Sequence, residues 1–312
     1  MTTMIVGSGY LGGSIGNWLR TGGDDVVTCS RRRPQAQSAA GLAWREFDVR
    51  DRGASEAVIR EVDPDAVVVV HGPSDVKWCE ENPTQAEAAH VRGAENLAAV
   101  LGQRPTILIS TDNVFAGDQP SNGERDATAP TNVYGRVKLA AEQALLVTGS
   151  TLALRTSLVY GWDPDGLRPN YFTSCLRSLG AGRPIDAPVD HWNTPVLVHD
   201  VARWVGVLLR SRRTGVAHLG GPERVSRFDW ACRIARGLGL DHSLVRPTTK
   251  VDSAYACRPT NGCLRNERAA AWPELTALDP LADISAGIHR LAATVLPDGS
   301  TRSKRTVAVG DQ

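Results

Sequence analysis

The chain has 312 residues, 42% of them hydrophobic and 22% charged, a balance that fits a folded globular protein with one large core or two smaller ones. Lys+Arg 35 against Asp+Glu 34 leaves it near neutral, so nucleic acid and anionic membrane surfaces are not expected partners. No apolar run approaches the roughly 18 residues that a membrane span needs.

In chain order, short apolar runs alternate with amphipathic stretches. Met4–Val6 predicts a strand, Tyr10–Arg20 a helix, Val26–Cys29 a second strand and Ala43–Asp48 a third. A helix near Ala54–Glu61 leads to Ala66–His71, a valine run suited to a strand buried on both faces. A long helix follows from about Pro83 to Leu101, then a fifth strand at Thr106–Ser110, a helix at Asn132–Val147 and a sixth strand at Leu152–Thr156. This alternation predicts an α/β fold with a doubly wound parallel sheet. After Tyr160-Gly161 the pattern breaks, returning as a helix at His199–Arg210 and a strand at Val216–Leu219. We therefore expect a dinucleotide-binding domain at 1–160, completed by 196–220. A smaller C-terminal α/β substrate lobe is expected from 161–195 and 221–296, and a flexible tail over 297–312. The six cysteines are scattered without a C-x-x-C pair, so reduced thiols and no metal site are expected. Met1-Thr2-Thr3 leads straight into a strand, with no basic segment before an apolar one. No signal peptide and a cytoplasmic location are the expectations.

Gly7-Ser8-Gly9-Tyr10-Leu11-Gly12 is a G-x-G-x-x-G between a strand and a helix, the turn of a Rossmann fold that brings backbone N–H groups and a helix N-terminus to a pyrophosphate. Gly7, Gly9, Tyr10, Leu11 and Gly12 are thus expected to meet a dinucleotide, with His71 and Gly72 at the end of the fourth strand. The second strand runs into Ser30-Arg31-Arg32-Arg33, where enzymes that use NAD usually carry an acid. A guanidinium pairs with a 2′-phosphate and an acid repels it, so Ser30, Arg31 and Arg32 favour NADPH, with NADH the lesser cofactor. Asp48-Val49 is expected at the adenine edge.

Tyr134 and Lys138 form Y-x-x-x-K, which places phenol and ammonium on one helix face a turn apart. Hydride addition to a ketone builds charge on oxygen that a positioned acid must protonate. A nearby cation draws the phenol pKa from about 10 toward the working range, and Lys138 can also hold the nicotinamide ribose. The motif alone arises often by chance. Thr111, at the carboxyl end of the fifth strand where such sheets bind ligands, completes it as a second donor to the carbonyl.

These residues extend into longer runs. Ile109-Ser110-Thr111-Asp112-Asn113-Val114-Phe115-Ala116-Gly117 and Pro130-Thr131-Asn132-Val133-Tyr134-Gly135, with Lys138 and Glu142, resemble the extended short-chain dehydrogenase/reductase superfamily, nearest its dTDP-4-dehydrorhamnose reductase group. Lys77–Pro83, Leu154–Gly161, Asp190–Pro195 and Arg258-Pro259-Thr260-Asn261 agree in order, so the resemblance covers roughly residues 3–290. It implies NAD(P)H-dependent reduction of the 4-keto group of a nucleotide-activated deoxysugar, with Asp112, Asn113, Trp192 and Arg258 toward the substrate, Arg258 as a clamp on its diphosphate. The chain departs from the group at four places. Its first glycine turn is one residue shorter; Asn113 stands for a tyrosine, Leu158 for a tryptophan and His191 for a glutamine.

Alternatives of the same fold are a nucleotide-sugar epimerase or dehydratase, a reductase of a non-sugar ketone, and a non-catalytic NADP-binding regulatory subunit. A dehydratase would carry an acidic pair after the threonine, whereas Asn113 is an amide. Trp162, Trp192 and Trp230 could suit an aromatic ligand or simply pack. His90 is expected to be a packed or surface histidine, and a homodimer through the helices at 83–101 and 132–148 is a possible assembly.

Overall fold

The computed structural model describes residues 1–34, 41–163 and 169–293, so the tail expected at 297–312 lies outside the described residues. β1 (Thr2–Val6) leads through the glycine turn into α1 (Tyr10–Thr21), and β2 (Asp25–Ser30) and β3 (Ala43–Glu46) extend one side of the sheet. α2 (Arg52–Val62), capped by Asp51 accepting from the Ala54 N–H, returns the chain to β4 (Ala66–Val69). All of β4 is 0% exposed, as its unbroken apolar run requires.

The helix expected over Pro83–Leu101 is interrupted. α3 (Val76–Glu81) ends at Asn82, α4 (Pro83–Glu87) begins on its proline, and a π turn (Ala88–Arg92) precedes α5 (Gly93–Leu101). The π turn holds His90 buried, with Nε2 3.0 Å from the Pro73 carbonyl. β5 (Thr106–Thr111), α6 (Val133–Leu146) and β6 (Thr151–Thr156) follow as the sequence predicts. Next come β7 (Val159–Tyr160), α7 (Tyr171–Gly180), β8 (Ile185–Pro188), β9 (Trp192–Asn193) and β10 (Val196–Leu197). α8 (Val198–Ser211) and β11 (Gly215–Leu219) rejoin the main layer. The chain closes with β12 (Val225–Ser226), α9 (Arg227–Gly237), β13 (Val245–Thr248), β14 (Asn261–Gly262), α10 (Pro273–Thr276) and α11 (Ile284–Ala293).

The main sheet is seven-stranded and parallel, in the order β11-β6-β5-β4-β1-β2-β3. From β1 the chain winds outward to β3, then crosses back to β4 and winds the other way. The fold is therefore the doubly wound α/β sheet, and the reversal between β1 and β4 opens a crevice at the strands' carboxyl ends. The smaller sheets, β12-β9-β14, β13-β8 and β10-β7, surround a second apolar cluster built on Tyr160, Phe172, Trp230, Ile234 and Leu291. Trp230 is fully buried there, and Trp162 donates from Nε1 to the Leu291 carbonyl at 2.9 Å. Both tryptophans are packing residues in this structure.

Candidate active site

Gly7 has φ +118, and a Cβ on it would sit 2.9 Å from the His71 backbone nitrogen. A Cβ on Gly12 would strike the Gly7 carbonyl. These two glycines are demanded by protein contacts. Gly9 is different: a Cβ there would meet nothing within 4 Å, and as the N-cap of α1 it supplies no capping side chain. The first N–H groups of α1 thus have no side-chain cap and no acidic residue in the first turn, an arrangement that suits an anion. A dinucleotide pyrophosphate fits this turn. Tyr10 packs its hydroxyl toward Gly161 with no hydrogen-bond partner, and Leu11 packs on the main core.

The Ser8 hydroxyl donates to Ser30 Oγ at 2.6 Å, so the glycine turn is tied to the end of β2. Ser30 in turn donates to the Arg32 carbonyl at 2.7 Å and accepts from Trp44 Nε1 at 2.9 Å. These bonds shape the basic turn, and Arg31 and Arg32 project from it exposed, without salt bridges among the described residues. The Asp48 carboxylate is held by Arg50 at 2.6 Å, which lowers its pKa from the usual carboxylate value, while the Val49 carbonyl accepts from Asn96. Gly72, at φ +98, lets the chain pass the His90 ring. His71 Nε2 lies 2.9 Å from the Ala89 carbonyl; burial first, then Lys138, pull its pKa to about 4.

β5 and α6 bring Thr111, Tyr134 and Lys138 together. Asn132 caps α6 by accepting from the Gly135 N–H at 2.7 Å and donates to Asn113 Oδ1 at 3.0 Å. Asn113 donates through Nδ2 to Thr111 Oγ1 at 3.1 Å and to Asp112 Oδ1 at 2.7 Å. The amide that replaces the expected tyrosine thus braces the strand end against the helix cap. Thr111 donates to Asp112 Oδ1 at 3.1 Å and lies near enough to the Tyr134 phenol to favour its charged form. Lys138, 4% exposed, donates to the Ile109 carbonyl at 2.6 Å.

The electrostatics correct one expectation. Lys138 does not draw the Tyr134 phenol down: burial first, and then Asp112 and Cys79, push it above its usual value, with Thr111 acting the other way. Lys138 itself is pulled to about 8 by burial, with Glu142 opposing. The phenol is consequently held in its protonated form, which is the form an acid needs. His90, packed edge-on to Tyr134 at 5.9 Å, is held neutral by burial, so no histidine charge competes at the phenol.

Beside the trio lies a small cleft lined by Asp112, Asn113, Leu158, His191, Asn193, Arg227, Arg258, Pro259 and Gly262. Three of the four residues expected toward the substrate line it. Trp192 does not: its ring lies under the Arg224 guanidinium at 3.9 Å, and its neighbours His191 and Asn193 face the cleft instead. Burial raises the Asp112 carboxyl, against hydrogen bonds from Thr111, Asn113 and Ser157. Sequence reasoning missed Arg227, Ser8 and Trp44. Among the described residues no cluster of His, Cys, Asp and Glu could hold a metal, and no helix is long and apolar enough to cross a membrane.

The family model described as RmlD substrate binding domain matches residues 1–280. The chain belongs to this family. Among similar proteins, a probable low-salt glycan biosynthesis reductase of Haloferax volcanii is 31% identical over 271 residues, covering 85% of this chain and 89% of that protein. A dTDP-4-dehydrorhamnose reductase of Mycobacterium tuberculosis is 33% identical over 258 residues, covering 79% and 82%. Methionine adenosyltransferase 2 subunit beta of Pongo abelii is 29% identical, covering 82% and 78%. Of solved structures, a dTDP-4-dehydrorhamnose reductase from Clostridium acetobutylicum superposes with TM-score 0.78 at 25% identity, covering 93% and 98%. One from Bacillus anthracis, in complex with NADP, superposes with TM-score 0.79 at 22% identity over the same shares.

Proposed function

We propose that the chain is an NADPH-dependent reductase that transfers hydride to the 4-keto group of a nucleotide-activated deoxysugar. The observation that carries this reading is the joining of Thr111, Tyr134 and Lys138 at the end of β5, beside a cleft and on the same sheet edge as the open Gly9 turn. Gly7, Gly9 and Gly12 would hold the cofactor's pyrophosphate and Arg31 and Arg32 its 2′-phosphate; bound there, the cofactor supplies the hydride. Tyr134 Oη holds the proton for the carbonyl oxygen, and the neutral phenol is the state that can give it. The Thr111 hydroxyl, now on Asp112, is the second donor once it turns to the substrate oxygen. Lys138, fixed on the Ile109 carbonyl, keeps a cation near the phenol as negative charge develops.

In the same reading 1–160 with 196–220 bind the dinucleotide, 161–195 and 221–296 form the substrate lobe, and a cytoplasmic homodimer pairs through the helices at 83–101 and 132–148. A second reading, a binding subunit without turnover, is favoured by the relative named as a methionine adenosyltransferase subunit. A spectrophotometric NADPH-oxidation screen against 4-keto nucleotide sugars and unrelated ketones separates them. Turnover of a nucleotide sugar that disappears in Tyr134→Phe is expected. Turnover with unrelated ketones alone would refute the substrate class, and none with any ketone would refute the reductase and favour the subunit.

A further inference from the structure

Arg227 opens α9 and is 2% exposed, yet it makes no salt bridge among the described residues and its Nε is buried without a hydrogen-bond partner. Aromatic rings hold it. The guanidinium lies 4.6 Å from the Tyr171 ring centre, 4.9 Å from Tyr255 and 5.8 Å from Trp230. Arg258 approaches the same Tyr255 ring at 5.6 Å, and its Nε is also buried and unpartnered. Both arginines line the cleft that Asp112 and Asn113 enter from the catalytic strand, and His191 adds an unpartnered Nε2 to its wall.

A guanidinium removed from water costs several kcal/mol unless a counter-charge and hydrogen bonds replace the solvent. Two of them against one ring raise that cost, because they repel. The carboxylate on the cleft wall, Asp112, is already bonded to Thr111, Asn113, Ser157 and Asn193. One carboxylate faces two guanidiniums, so Asp112 offsets only part of their charge; the remaining positive charge sits on planar donor forks stacked on aromatic rings, a surface complementary to phosphate or carboxylate oxygens.

We propose that the buried Arg227 and the half-buried Arg258 form a two-arginine subsite that binds an anionic group of the substrate, the sugar-proximal phosphate of a nucleoside diphosphate sugar. The inference rests on the nucleotide-sugar reading and deepens it. Arg227 is its new element, a substrate-binding residue on α9 that orients the sugar toward Thr111 and Tyr134. A carboxylate on the sugar offers the same chemistry, and the probes separate the sources.

The experiment is calorimetric titration of the NADPH-saturated full chain with dTDP and, separately, with glucuronate. Wild type is expected to bind dTDP, and Arg227→Met and Arg258→Met each to weaken it tenfold or more, with NADPH affinity within twofold. Arg227→Lys keeps a cation but loses the fork and the stacking, so it should lose affinity to a smaller extent; it also provides the test if Arg227→Met does not fold. Equal dTDP affinity in wild type and both Arg227 variants would overturn the subsite and leave the nucleotide-sugar reading standing. Binding of glucuronate and not dTDP, abolished with Arg227, would support the subsite and overturn the nucleotide source. Binding of neither probe would overturn both.

Discussion

Glu142→Gln tests whether the floor beneath the catalytic strand is an electrostatic assembly. Glu142, 1% exposed, sits one turn after Lys138 on α6. It accepts from Arg155 Nη2 at 2.8 Å and Nε at 3.0 Å, and from the Ser110 hydroxyl next to Thr111. Glutamine keeps the shape and removes the charge, so Arg155, 5% exposed and packed on Phe115, becomes a buried cation without a counter-ion. Breaking a buried pair from one side costs about 3–5 kcal/mol. At about 2 °C per kcal/mol for a chain of this size, the melting temperature should fall by roughly 6–10 °C. The double variant Glu142→Gln/Arg155→Met removes both charges and should recover at least half of that loss. There is a second readout. Glu142 is the charge that opposes the lowering of Lys138, so without it the amine titrates further below about 8 and the alkaline limb of kcat moves to lower pH. A melting temperature within 2 °C of wild type, together with an unmoved alkaline limb, would refute the reasoning.

Tyr134→Phe should lower kcat by about 10²–10⁴-fold while NADPH affinity, measured by fluorescence titration, stays within twofold; comparable kcat would remove the assigned acid. Arg31→Asp should weaken NADPH by roughly 10- to 100-fold and NADH far less, read as separate dissociation constants; equal losses would mean that the basic turn does not read the 2′-phosphate. Gly9→Ala should leave urea stability within about 0.5 kcal/mol, because its Cβ meets no protein atom and its φ of −76 suits alanine, yet cut NADPH affinity tenfold or more. Gly12→Ala should instead destabilise the fold by at least ~1 kcal/mol, since its Cβ meets the Gly7 carbonyl.

What could be read from the sequence was what periodicity and short-range spacing encode. The valine run of β4, the alternation of strands and helices and the glycine turn specify the sheet, and Y-x-x-x-K with a hydroxyl at a strand end specifies the trio, because each acts within one element or one crossover. The sign of the Tyr134 shift was out of reach for a physical reason: spacing sets Lys138 one turn after the phenol but cannot say how much water the phenol loses, and here burial, with Asp112 and Cys79, raises it. The break in the helix before β5 was hidden similarly, since Ala88–Arg92 has ordinary helical composition and only packing distinguishes a π turn.

Arg227 makes the same point more sharply. In sequence, Ser226-Arg227 is a capped helix start with a charged first residue, which by default faces water. Burial comes from Tyr171 on α7 and Tyr255 after β13, which close over the start of α9 from distant parts of the chain. Those two contacts turn a surface charge into an unpaired buried one beside the catalytic strand. The functional content of that residue therefore lies in tertiary packing: the local sequence sets its charge, and the aromatic enclosure makes that charge a demand for an anion.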